Sequence, residues 1–383
     1  MALLGRGKLW IGLAVSAATL ALFLLTVDLG RMADALAEAN YLYLIPGLAL
    51  YLVSVFFRTV RWQVMLRHMK PISVRRLYPV VVVGYMANNL LPMRLGELVR
   101  SYYIGEREGV SKTASLATIM VERVFDALVL LVFILAIAIF VPLGGLVEGF
   151  EAQLGIPWPW LVAAVSVPFV ALFGLLALLA RYPERVRAVL RGILRFLPAG
   201  LWNTLWGLVE LFIHGLASMR SPRSLAMLLV LSAPIWLFEA GLFFMVGYAF
   251  GLHHVFDSSW ELAVACLLVT SLANIGSSIP AAPGGIGLFE LVARETLVLL
   301  PLATVDRAVA GAFAAVVHAV LLLSMIMLGQ AFLWREHLSL RTLWRSRGTM
   351  GASRPAGAAP LHESDRKTAT AVTPTSVGGE GKE

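Results

Sequence analysis

Three short segments of an otherwise apolar chain contain charged and amide side chains that could bind a substrate. The segments read NNLLPMRLGELVR (88–100), VERVFD (121–126) and PAAPGGIGLFE (280–290). A charged group that faces lipid is costly, so these side chains should face a protein interior or a water-filled cavity. In such a cavity a guanidinium group can hold a phosphate through two parallel hydrogen bonds. Neighbouring carboxylates can engage a cationic headgroup or position the arginines.

We predict that these polar residues form a site for a phosphate-bearing substrate. The predicted substrate-binding residues are Asn88, Asn89, Arg94, Glu97, Arg100, Glu122, Arg123, Asp126, Glu290 and Arg294. A subset is predicted to converge on one cavity: Arg94, Glu97, Arg123 and Glu290. The alternative interpretation of each residue is a buried pair that only fixes helix packing. Two isolated residues near the middle of apolar runs, Glu239 and His318, fit either interpretation.

Helix-breaking residues interrupt the first and third segments. They are Pro92 and Gly96 in the first, and Pro280, Pro283, Gly284, Gly285 and Gly287 in the third. Proline removes a backbone donor and glycine tolerates left-handed backbone, so both residue types end helices and form turns. In transporters, broken helices meet near the middle of the membrane with their ends facing the substrate. We therefore predict a helical hairpin turn at each of these two segments.

The composition is that of an integral membrane protein. Hydrophobic residues make up 59% of the 383 residues and charged residues only 14%, which is outside the range of soluble domains. Apolar runs such as Leu9–Val27 and Leu225–Phe250 have the length of membrane-spanning helices and lack the alternation of barrel strands. The net charge of +8 comes from basic residues in short loops, as the positive-inside rule expects, and does not indicate nucleic-acid binding. The single cysteine, Cys266, excludes an internal disulfide and a cysteine-based metal cluster, and we predict neither a metal site nor a cofactor.

Loop charges predict how the chain is oriented. Asp28–Asn40 carries three acids and one arginine, whereas Arg58–Arg76 carries six basic residues and no acid. The first loop is therefore predicted outside the cell and the second inside. By the same rule Pro142–Pro157 is outside, and Arg181–Gly200, with its five arginines, is inside. The basic segment after Trp334 places the C-terminus inside, so both termini are predicted to be cytoplasmic.

The parity of crossings then predicts that two segments enter the membrane and leave on the same side. Leu77–Leu91 has only 15 residues, roughly 22 Å of helix, which is too short for a hydrocarbon core of about 30 Å. Leu262–Leu300 must begin and end outside. The predicted fold is an all-α polytopic membrane protein, an inverted repeat of helices with two broken or re-entrant helical hairpins. Proline-kinked pairs of full-length spans are the alternative that parity leaves open.

The repeat divides the chain into five regions. They are a cytoplasmic N-terminus (1–8), membrane repeat one (9–141), an external loop (142–157), membrane repeat two (158–333), and a cytoplasmic basic segment with a disordered tail (334–383). Leu201–Ala217 fits neither repeat, because it begins and ends inside and carries separate polar and aromatic faces. An interfacial amphipathic helix is predicted near 201–217. A second short re-entrant segment is the alternative.

The three segments, in this order and at these separations, resemble the flippase-like membrane family that includes the transmembrane region of lysylphosphatidylglycerol synthases. The resemblance covers roughly Leu9–Leu333. It implies a membrane region that moves lipids between leaflets and that in some members is fused to a soluble lysyl-transfer domain. We expect that domain to be absent here, because the residues after Arg347 are rich in Pro, Ala, Gly, Ser and Thr, a composition typical of disorder.

We expect a lipid translocator that moves a phosphate-bearing lipid or lipid-linked precursor between the leaflets of a bacterial-type plasma membrane. An enzyme is not expected, because the sequence has no HExxH zinc motif, P-loop or nucleophile elbow. Two alternatives are an enzyme that acts on lipid-linked substrates and a noncatalytic subunit of a pathway that makes lipids or lipid-linked glycans. Membrane lipids are the expected partners, lipid-synthesis enzymes are further candidates, nucleic acid is not expected, and the oligomeric state is left open.

Overall fold

The computed structural model describes residues 14, 16–91, 95–141, 181–194, 199–215, 221–277 and 283–335, together with scattered positions between 147 and 178. Within these ranges the chain is helical and contains no β-strand. Five of the described helices are long and apolar enough to cross a membrane. The prediction of an all-α polytopic membrane protein is therefore confirmed.

The structure describes twelve helices in the ranges given above. In chain order they are α1 (Ser16–Leu25), α2 (Leu29–Glu38), α3 (Leu44–Leu66), α4 (Val74–Leu90), α5 (Gly96–Glu108), α6 (Lys112–Phe140), α7 (Pro183–Leu194), α8 (Ala199–Gly215), α9 (Pro222–Ala249), α10 (Ser259–Gly276), α11 (Leu288–Leu299) and α12 (Arg307–Arg335). Three of them start at a polar cap whose side chain accepts a hydrogen bond from a backbone N–H of the first turn. The caps are Asp28 for α2, Ser111 for α6 and Ser258 for α10, and such caps stabilise helix starts by about 1 kcal/mol.

Helix lengths separate the spans from the first hairpin. The five candidate spans are α3 with the turn that leads into it, α6, α9, α10 and α12. α4 has 17 residues and α5 has 13, so at about 1.5 Å per residue both fall short of a hydrocarbon core of about 30 Å. This is the length predicted for a re-entrant hairpin. In the second hairpin α11 has 12 residues but α10 has 18, and α10 alone reaches the length of a candidate span. Most of residues 159–180, at the start of the predicted membrane repeat two, lie outside the described residues.

The two halves contact each other through equivalent helices. α3 of the first half packs along α9 of the second half. α4, the first hairpin arm of the first half, packs against α12, the last span of the second half. α10, the first hairpin arm of the second half, packs in the same way against α6, the last span of the first half. Inside each half the two hairpin arms pack together, and the second arm packs against the following span. This reciprocal pattern is the one expected of an inverted repeat, while the boundaries 9–141 and 158–333 stay a prediction.

Gly96 determines how closely the arms of the first hairpin approach each other. A Cβ atom at this position would lie 2.2 Å from the carbonyl oxygen of Gly84 and 2.4 Å from the backbone nitrogen of Asn88. No side chain fits between these two backbones, so only glycine allows α5 to begin directly against α4. The predicted breaker Pro92 lies outside the described residues.

The second hairpin turns through glycines in left-handed backbone. Gly284, Gly285 and Gly287 have φ angles of 69°, 75° and 91°, which glycine adopts without the steric cost that a Cβ atom would impose. Pro283 begins the one-turn 3-10 helix that precedes α11. Four of the five breakers predicted for this segment therefore lie at the turn, and the fifth, Pro280, is outside the described residues.

One predicted loop begins too early in the sequence. The basic loop counted from Arg58 includes the last turns of α3, which continues to Leu66. Arg58 and Arg61 are buried, with 4% and 0% exposure, so their placement in a cytoplasmic loop is wrong. Both are kept inside the helix because acidic partners meet them in the protein interior. The basic residues that remain in the connection and at the start of α4 are Arg67, Lys70, Arg75 and Arg76.

A helical pair stands where the interfacial helix is predicted. α8 overlaps the predicted range 201–217 and packs against α6. Arg187 of α7 donates to both carboxylate oxygens of Glu210, at 2.9 and 2.8 Å, and these hydrogen bonds lower the pKa of Glu210. The guanidinium carbon of Arg191 lies 5.2 Å from the centre of the Trp206 ring. These contacts tie α7 to α8, and the position of the pair at the membrane surface stays a prediction.

Candidate functional site

Eight ionisable side chains from four helices form one charge network within the candidate spans and the first hairpin. They are Arg58 and Arg61 of α3, Glu97 and Arg100 of α5, Glu122, Arg123 and Asp126 of α6, and Glu239 of α9. Four guanidinium groups thus face four carboxylates, and the charges cancel when all are ionised. Buried charges are tolerated only when they are paired, and the charge network meets that condition.

Glu122 is the centre of the charge network. It is fully buried, and its carboxylate oxygens lie 3.0 Å from Arg100, 3.5 Å from Arg61 and 3.2 Å from Arg123. The three arginines come from three different helices, so this one carboxylate holds α3, α5 and α6 together. Loss of its charge would leave the arginines with fewer anionic partners in a buried place.

Asp126 lies one turn after Glu122 on the same face of α6. Its carboxylate oxygens are 2.8 Å from Arg61 and 3.3 Å from Arg123. The hydroxyl of Tyr85 on α4 accepts hydrogen bonds from Arg58 and Arg123, at 3.3 and 3.1 Å. α4 carries none of the eight charges but is connected to them through this phenol.

Glu239 connects the charge network to the second half. Its Oε2 accepts a hydrogen bond of 2.6 Å from Arg58, and its Oε1 accepts one of 3.1 Å from the amide of Asn274 on α10. Arg61 also reaches the second half, because it donates to the hydroxyl of Ser232 on α9 at 2.7 Å. The charges of the first half therefore find part of their partners more than 170 residues away in the sequence.

Tryptophan rings cover two of the guanidinium groups. The guanidinium carbon of Arg100 lies 3.8 Å from the centre of the Trp62 ring, and that of Arg58 lies 4.5 Å from the Trp236 ring. Trp62 in turn donates a hydrogen bond of 3.0 Å to Thr118. These cation–π contacts stabilise the arginines where water is excluded.

A narrow cleft between α4, α5 and α6 reaches the charge network, and its volume of about 10 Å³ is room for roughly one water molecule. Four of the predicted substrate-binding residues line it: Asn88, Glu97, Arg100 and Arg123. The side chains of Glu97 and Arg123 are 22% and 24% exposed, so these two members of the network reach the surface of the cleft. Their closest charged atoms are 3.9 Å apart, which is too long for a hydrogen bond.

Polar atoms at this cleft lack hydrogen-bond partners among the residues that the structure describes. They are Asn88 Oδ1, Arg100 Nε and Arg123 Nε. Buried donors and acceptors are normally satisfied, and an exception calls for an explanation such as a bound molecule. Two guanidinium N–H groups and one amide oxygen that all border one cleft are the groups that an incoming polar headgroup would use.

The second hairpin places its charged groups in a different arrangement. Glu290 pairs with His318 of α12, with 2.7 Å between Oε1 and Nδ1, and its other oxygen accepts a hydrogen bond of 2.7 Å from the backbone N–H of Gly287. The second ring nitrogen of His318 lies 3.0 Å from the carbonyl oxygen of Gly284. The imidazole therefore holds the glycine turn against α12.

Arg294 is an anchor for the N-terminal helix in this structure. It is buried and pairs with Glu295 at 2.6 Å, and Glu295 also pairs with Arg307 at 2.9 Å. Arg294 donates to the carbonyl oxygen of Phe23 and to the hydroxyl of Thr26, both at 2.8 Å. A cation at the last carbonyls of α1 is a favourable C-terminal cap, so its contacts are those of helix packing.

The turn of the second hairpin touches the end of α4. A Cβ atom on Gly284 would lie 3.6 Å from the carbonyl oxygen of Asn89, and the Asn89 amide donates to the carbonyl oxygen of Leu322 on α12 at 3.5 Å. The two hairpins thus meet, as predicted for broken helices of an inverted repeat. Asn89 serves this contact and does not line the cleft of Asn88.

Of the four residues predicted to converge on one cavity, the structure brings Glu97 and Arg123 together. Glu290 contacts His318 and the second turn instead, and Arg94 lies outside the described residues. Sequence reasoning missed Arg58, Arg61 and Tyr85, and left Glu239 undecided. The available signal for the two arginines was their spacing with Trp62 on one face of an apolar helix.

A model of the family described as "Lysylphosphatidylglycerol synthase TM region" matches residues 9–329. A protein described as "UPF0104 membrane protein" from Methanothermobacter thermautotrophicus is 26% identical over 292 residues, which cover 73% of this chain and 81% of that protein. A second protein with the same description from the same organism is 24% identical over 269 residues, covering 68% of this chain and 74% of that protein.

"Glycosyltransferase AglD" from Haloferax volcanii is 28% identical over 331 residues. The match covers 81% of this chain but 51% of AglD, so the chain spans about half the length of that relative.

Proposed function

Because this chain belongs to the family of the lysylphosphatidylglycerol synthase transmembrane region, we propose that it moves a phosphate-bearing lipid or lipid-linked precursor between the leaflets of a membrane. The proposal includes a bacterial-type plasma membrane with both termini in the cytoplasm, on the basis of the loop charges. It also holds that the chain is a transporter and not an enzyme.

The observation that carries the proposal is the cleft beside the charge network. Ionisable groups inside membrane spans are costly and generally mark a substrate path. Here the Nε–H groups of Arg100 and Arg123, which find no hydrogen-bond partner in the described part of the chain, border the same cleft as Glu97. A phosphate is larger than this cleft of about 10 Å³, so the proposal requires α4, α5 and α6 to separate. A lipid phosphate admitted in this way would supply acceptor oxygens to these donors.

The charge network supplies the counter-charges for such a movement. When no phosphate is bound, Glu122 and Asp126 neutralise the arginines. A phosphate that reaches Arg100 and Arg123 competes with these carboxylates, and the carboxylates reclaim the arginines when the lipid leaves. Neither step requires covalent chemistry or nucleotide hydrolysis by this chain, so a gradient or a downhill distribution of the lipid drives the movement.

The match to AglD favours a lipid-linked glycan precursor as one cargo. That relative is a glycosyltransferase by name. Enzymes of this class transfer a sugar from an activated donor to an acceptor. The second candidate function follows from the same match: the chain could serve as a noncatalytic membrane subunit of, or an enzyme in, a pathway that makes lipid-linked glycans.

Transport is tested with the purified chain in phosphatidylcholine liposomes that carry a fluorescent phosphatidylglycerol or a fluorescent polyprenyl phosphate. The wild-type protein should speed the exposure of the inner-leaflet probe to an impermeant quencher added outside. Arg123→Lys should slow this exposure about tenfold or more, because a hydrogen bond to a charged group contributes about 1.5–3 kcal/mol and an ammonium does not reproduce the guanidinium geometry. Arg94→Lys is expected to act in the same direction.

Arg67→Lys is the matched control, because Arg67 is exposed in the connection between α3 and α4. It should transport like the wild type. If neither probe moves faster than in empty liposomes, with or without an imposed proton gradient, transport by this chain alone is wrong and the subunit function takes its place.

A further inference from the structure

The imidazole of His318 on α12 lies between two oxygen atoms of the second hairpin. Its Nε2 is 3.0 Å from the carbonyl oxygen of Gly284, and its Nδ1 is 2.7 Å from Oε1 of Glu290. A carbonyl oxygen can only accept a hydrogen bond, so Nε2 must carry a hydrogen. An ionised carboxylate also only accepts, so either Nδ1 carries a second hydrogen or the carboxyl group itself is protonated.

Both arrangements contain the same number of hydrogen atoms. An imidazolium beside a carboxylate and a neutral imidazole beside a carboxylic acid each hold one proton more than a neutral imidazole beside a carboxylate. The extra proton lies between Nδ1 of His318 and Oε1 of Glu290, because Oε2 accepts the backbone N–H of Gly287 at 2.7 Å. The pair therefore needs one bound proton to make the contacts of this structure.

The pair is enclosed by the protein. The side chains of His318 and Glu290 are 5% and 12% exposed, and the Phe289 ring stacks on the imidazole with the ring centres 4.2 Å apart. α1 places the Thr19 hydroxyl beside Gly287, and α10 places Ser277 beside Gly285. These neighbours are uncharged, so the proton is shared by His318 and Glu290.

Other titratable groups on the elements packed around the pair are bound elsewhere. In the described part of the chain, no ion pair joins His318 or Glu290 to a third residue. The groups with other partners are Arg294 and Glu295 of α11, Asp306 and Arg307 at the start of α12, Arg31 of α2, Glu239 of α9 and Tyr85 of α4.

Loss of the proton would break this arrangement. The lone pair of Nδ1 would then face an ionised carboxylate oxygen, which is unfavourable where water is excluded. His318 would turn away from Glu290, and the Gly284 carbonyl would lose its donor. The turn contains glycines in left-handed backbone, Gly284 and Gly287 among them, and glycine has other conformations open to it. The turn is therefore held while the proton is bound and released when the proton leaves.

The second turn also contacts the first hairpin. A Cβ atom on Gly284 would lie 3.6 Å from the carbonyl oxygen of Asn89 at the end of α4. α4 forms one wall of the cleft at the charge network, and that cleft must open before a phosphate can enter. The contact at Asn89 is thus a physical route from the proton to the cleft.

We propose that Glu290 and His318 form a proton-binding site, and that binding and release of this proton couple lipid movement to a proton gradient. The coupling rests on the proposed transport function, whereas proton binding by the pair does not. On release, one N–H or O–H bond breaks and the proton passes to water. The loop charges predict that the second hairpin enters the membrane from outside, so the proton exchanges with that side.

Proton binding is tested by solid-state NMR of the full chain with ¹⁵N-labelled histidine in phosphatidylcholine liposomes. The chain has seven histidines, and replacing the other six by Gln leaves the ring signals of His318 alone. If this variant does not fold, the difference between the spectra of the wild type and His318→Gln isolates the same signals. As the pH rises, Nδ1 should lose its hydrogen partner in one transition.

Glu290→Gln should keep the Nδ1 contact across the same pH range, because an amide N–H supplies a hydrogen that does not dissociate. Glu106→Gln is the matched control, since it makes the same change in the exposed pair with Lys112, and it should titrate like the wild type. An Nδ1 that has no hydrogen partner at any pH, or a Glu290→Gln variant that titrates like the wild type, would overturn the proton site.

Coupling is tested in the liposome assay with fluorescent phosphatidylglycerol. In the wild type, an imposed gradient of about one pH unit should change the final ratio of the probe between the leaflets by up to about tenfold for each coupled proton. The gradient should leave this ratio unchanged in Glu290→Gln and should act normally in Glu106→Gln. An equal response of wild type and Glu290→Gln would overturn the coupling. If no probe moves in any sample, the transport proposal and the coupling both fail, and the NMR titration alone decides the proton site.

Discussion

The two hairpins share one arrangement of arms but differ in the chemistry of their polar groups. The first hairpin contributes Glu97 and Arg100 to a network of eight charges, and donors at its cleft lack partners among the described residues. In the second hairpin the carboxylate of Glu290 is already bound. It accepts a hydrogen bond from the backbone N–H of Gly287 in its own turn and pairs with His318 of α12. Arg294 of the second hairpin is occupied by Glu295 and by the end of α1.

This difference indicates that the inverted repeat determines where the helix ends lie. The side chains determine which of these ends can bind a ligand. Equivalent helix pairs recur in both halves. Among the residues that the structure describes, Arg100 Nε and Arg123 Nε lack hydrogen-bond partners, and both border the cleft of the first hairpin. The proposed transport function therefore assigns substrate contact to the first hairpin and a stable turn to the second. Four experiments test that division.

The largest effect is expected from Gly96→Ala. The new Cβ atom would lie 2.2 Å from a backbone oxygen, and a backbone cannot move aside as a side chain can, so we expect a destabilisation of about 3 kcal/mol or more. The measurement is the yield of monodisperse protein and its thermal unfolding midpoint in detergent.

Gly276→Ala is the matched change in the second hairpin. Its Cβ atom would meet the side chain of Val292, whose nearest atom is a methyl carbon at 3.2 Å. A side chain can shift by a few tenths of an ångström, so the yield should stay close to that of the wild type. Equal losses in both variants would contradict the idea that only the first hairpin depends on backbone contact between its arms.

A smaller effect is expected from Glu122→Gln. The amide removes one negative charge from the buried Arg61 and Arg100 and from the half-buried Arg123. Complete removal of one partner from a buried charge pair costs about 3–5 kcal/mol, so the isosteric amide should cost somewhat less. Glu106→Gln removes one partner of the exposed pair with Lys112 and should cost about 1 kcal/mol or less. Unfolding midpoints of the two variants should differ clearly, and similar midpoints would show that the charge network does not support the fold.

His318→Leu should have a local effect on the second hairpin. The change leaves the Glu290 carboxylate and the Gly284 carbonyl without their shared partner, at a cost of about 1–3 kcal/mol. Hydrogen exchange should increase around residues 284–290 and stay unchanged around residues 96–100. His318→Gln, which keeps a donor, should restore part of the protection, and increased exchange in both hairpins would mean that their roles are not separate.

The smallest effect on the protein is expected from single cysteines used to report topology. In a Cys266→Ala background, cysteines at the exposed Ser73 and Ser258 should react with impermeant thiol reagents from opposite sides of the membrane. Cys266 itself is buried in α10, and its replacement by Ala removes only one sulfur atom, so we expect the background variant to fold at a small cost in stability. Labelling of both positions from one side would rule out opposite orientations of the two hairpins.

Much of the fold could be predicted because membrane insertion acts on local properties. The length of apolar runs, the glycines of the second turn and the helix break before Gly96 are visible in single segments, and each appears in the structure. Four of the predicted binding residues line one cleft because they lie on adjacent elements, at the end of α4, the start of α5 and the middle of α6. Arg58 and Arg61 were misplaced because a count of loop charges cannot recognise a buried partner elsewhere in the chain.

By itself, the sequence determined that this is a multi-pass helical membrane protein with two interrupted segments and with charges where lipid would exclude them. These properties follow from composition, length and residue type, which act over one helix or less. Only the tertiary structure decided which charges meet. Arg58 binds Glu239, 181 residues away, and Arg294 binds the end of α1, 271 residues earlier. The partner of a buried charge depends on how helices from distant parts of the chain pack together, and helix packing is a property of the whole fold.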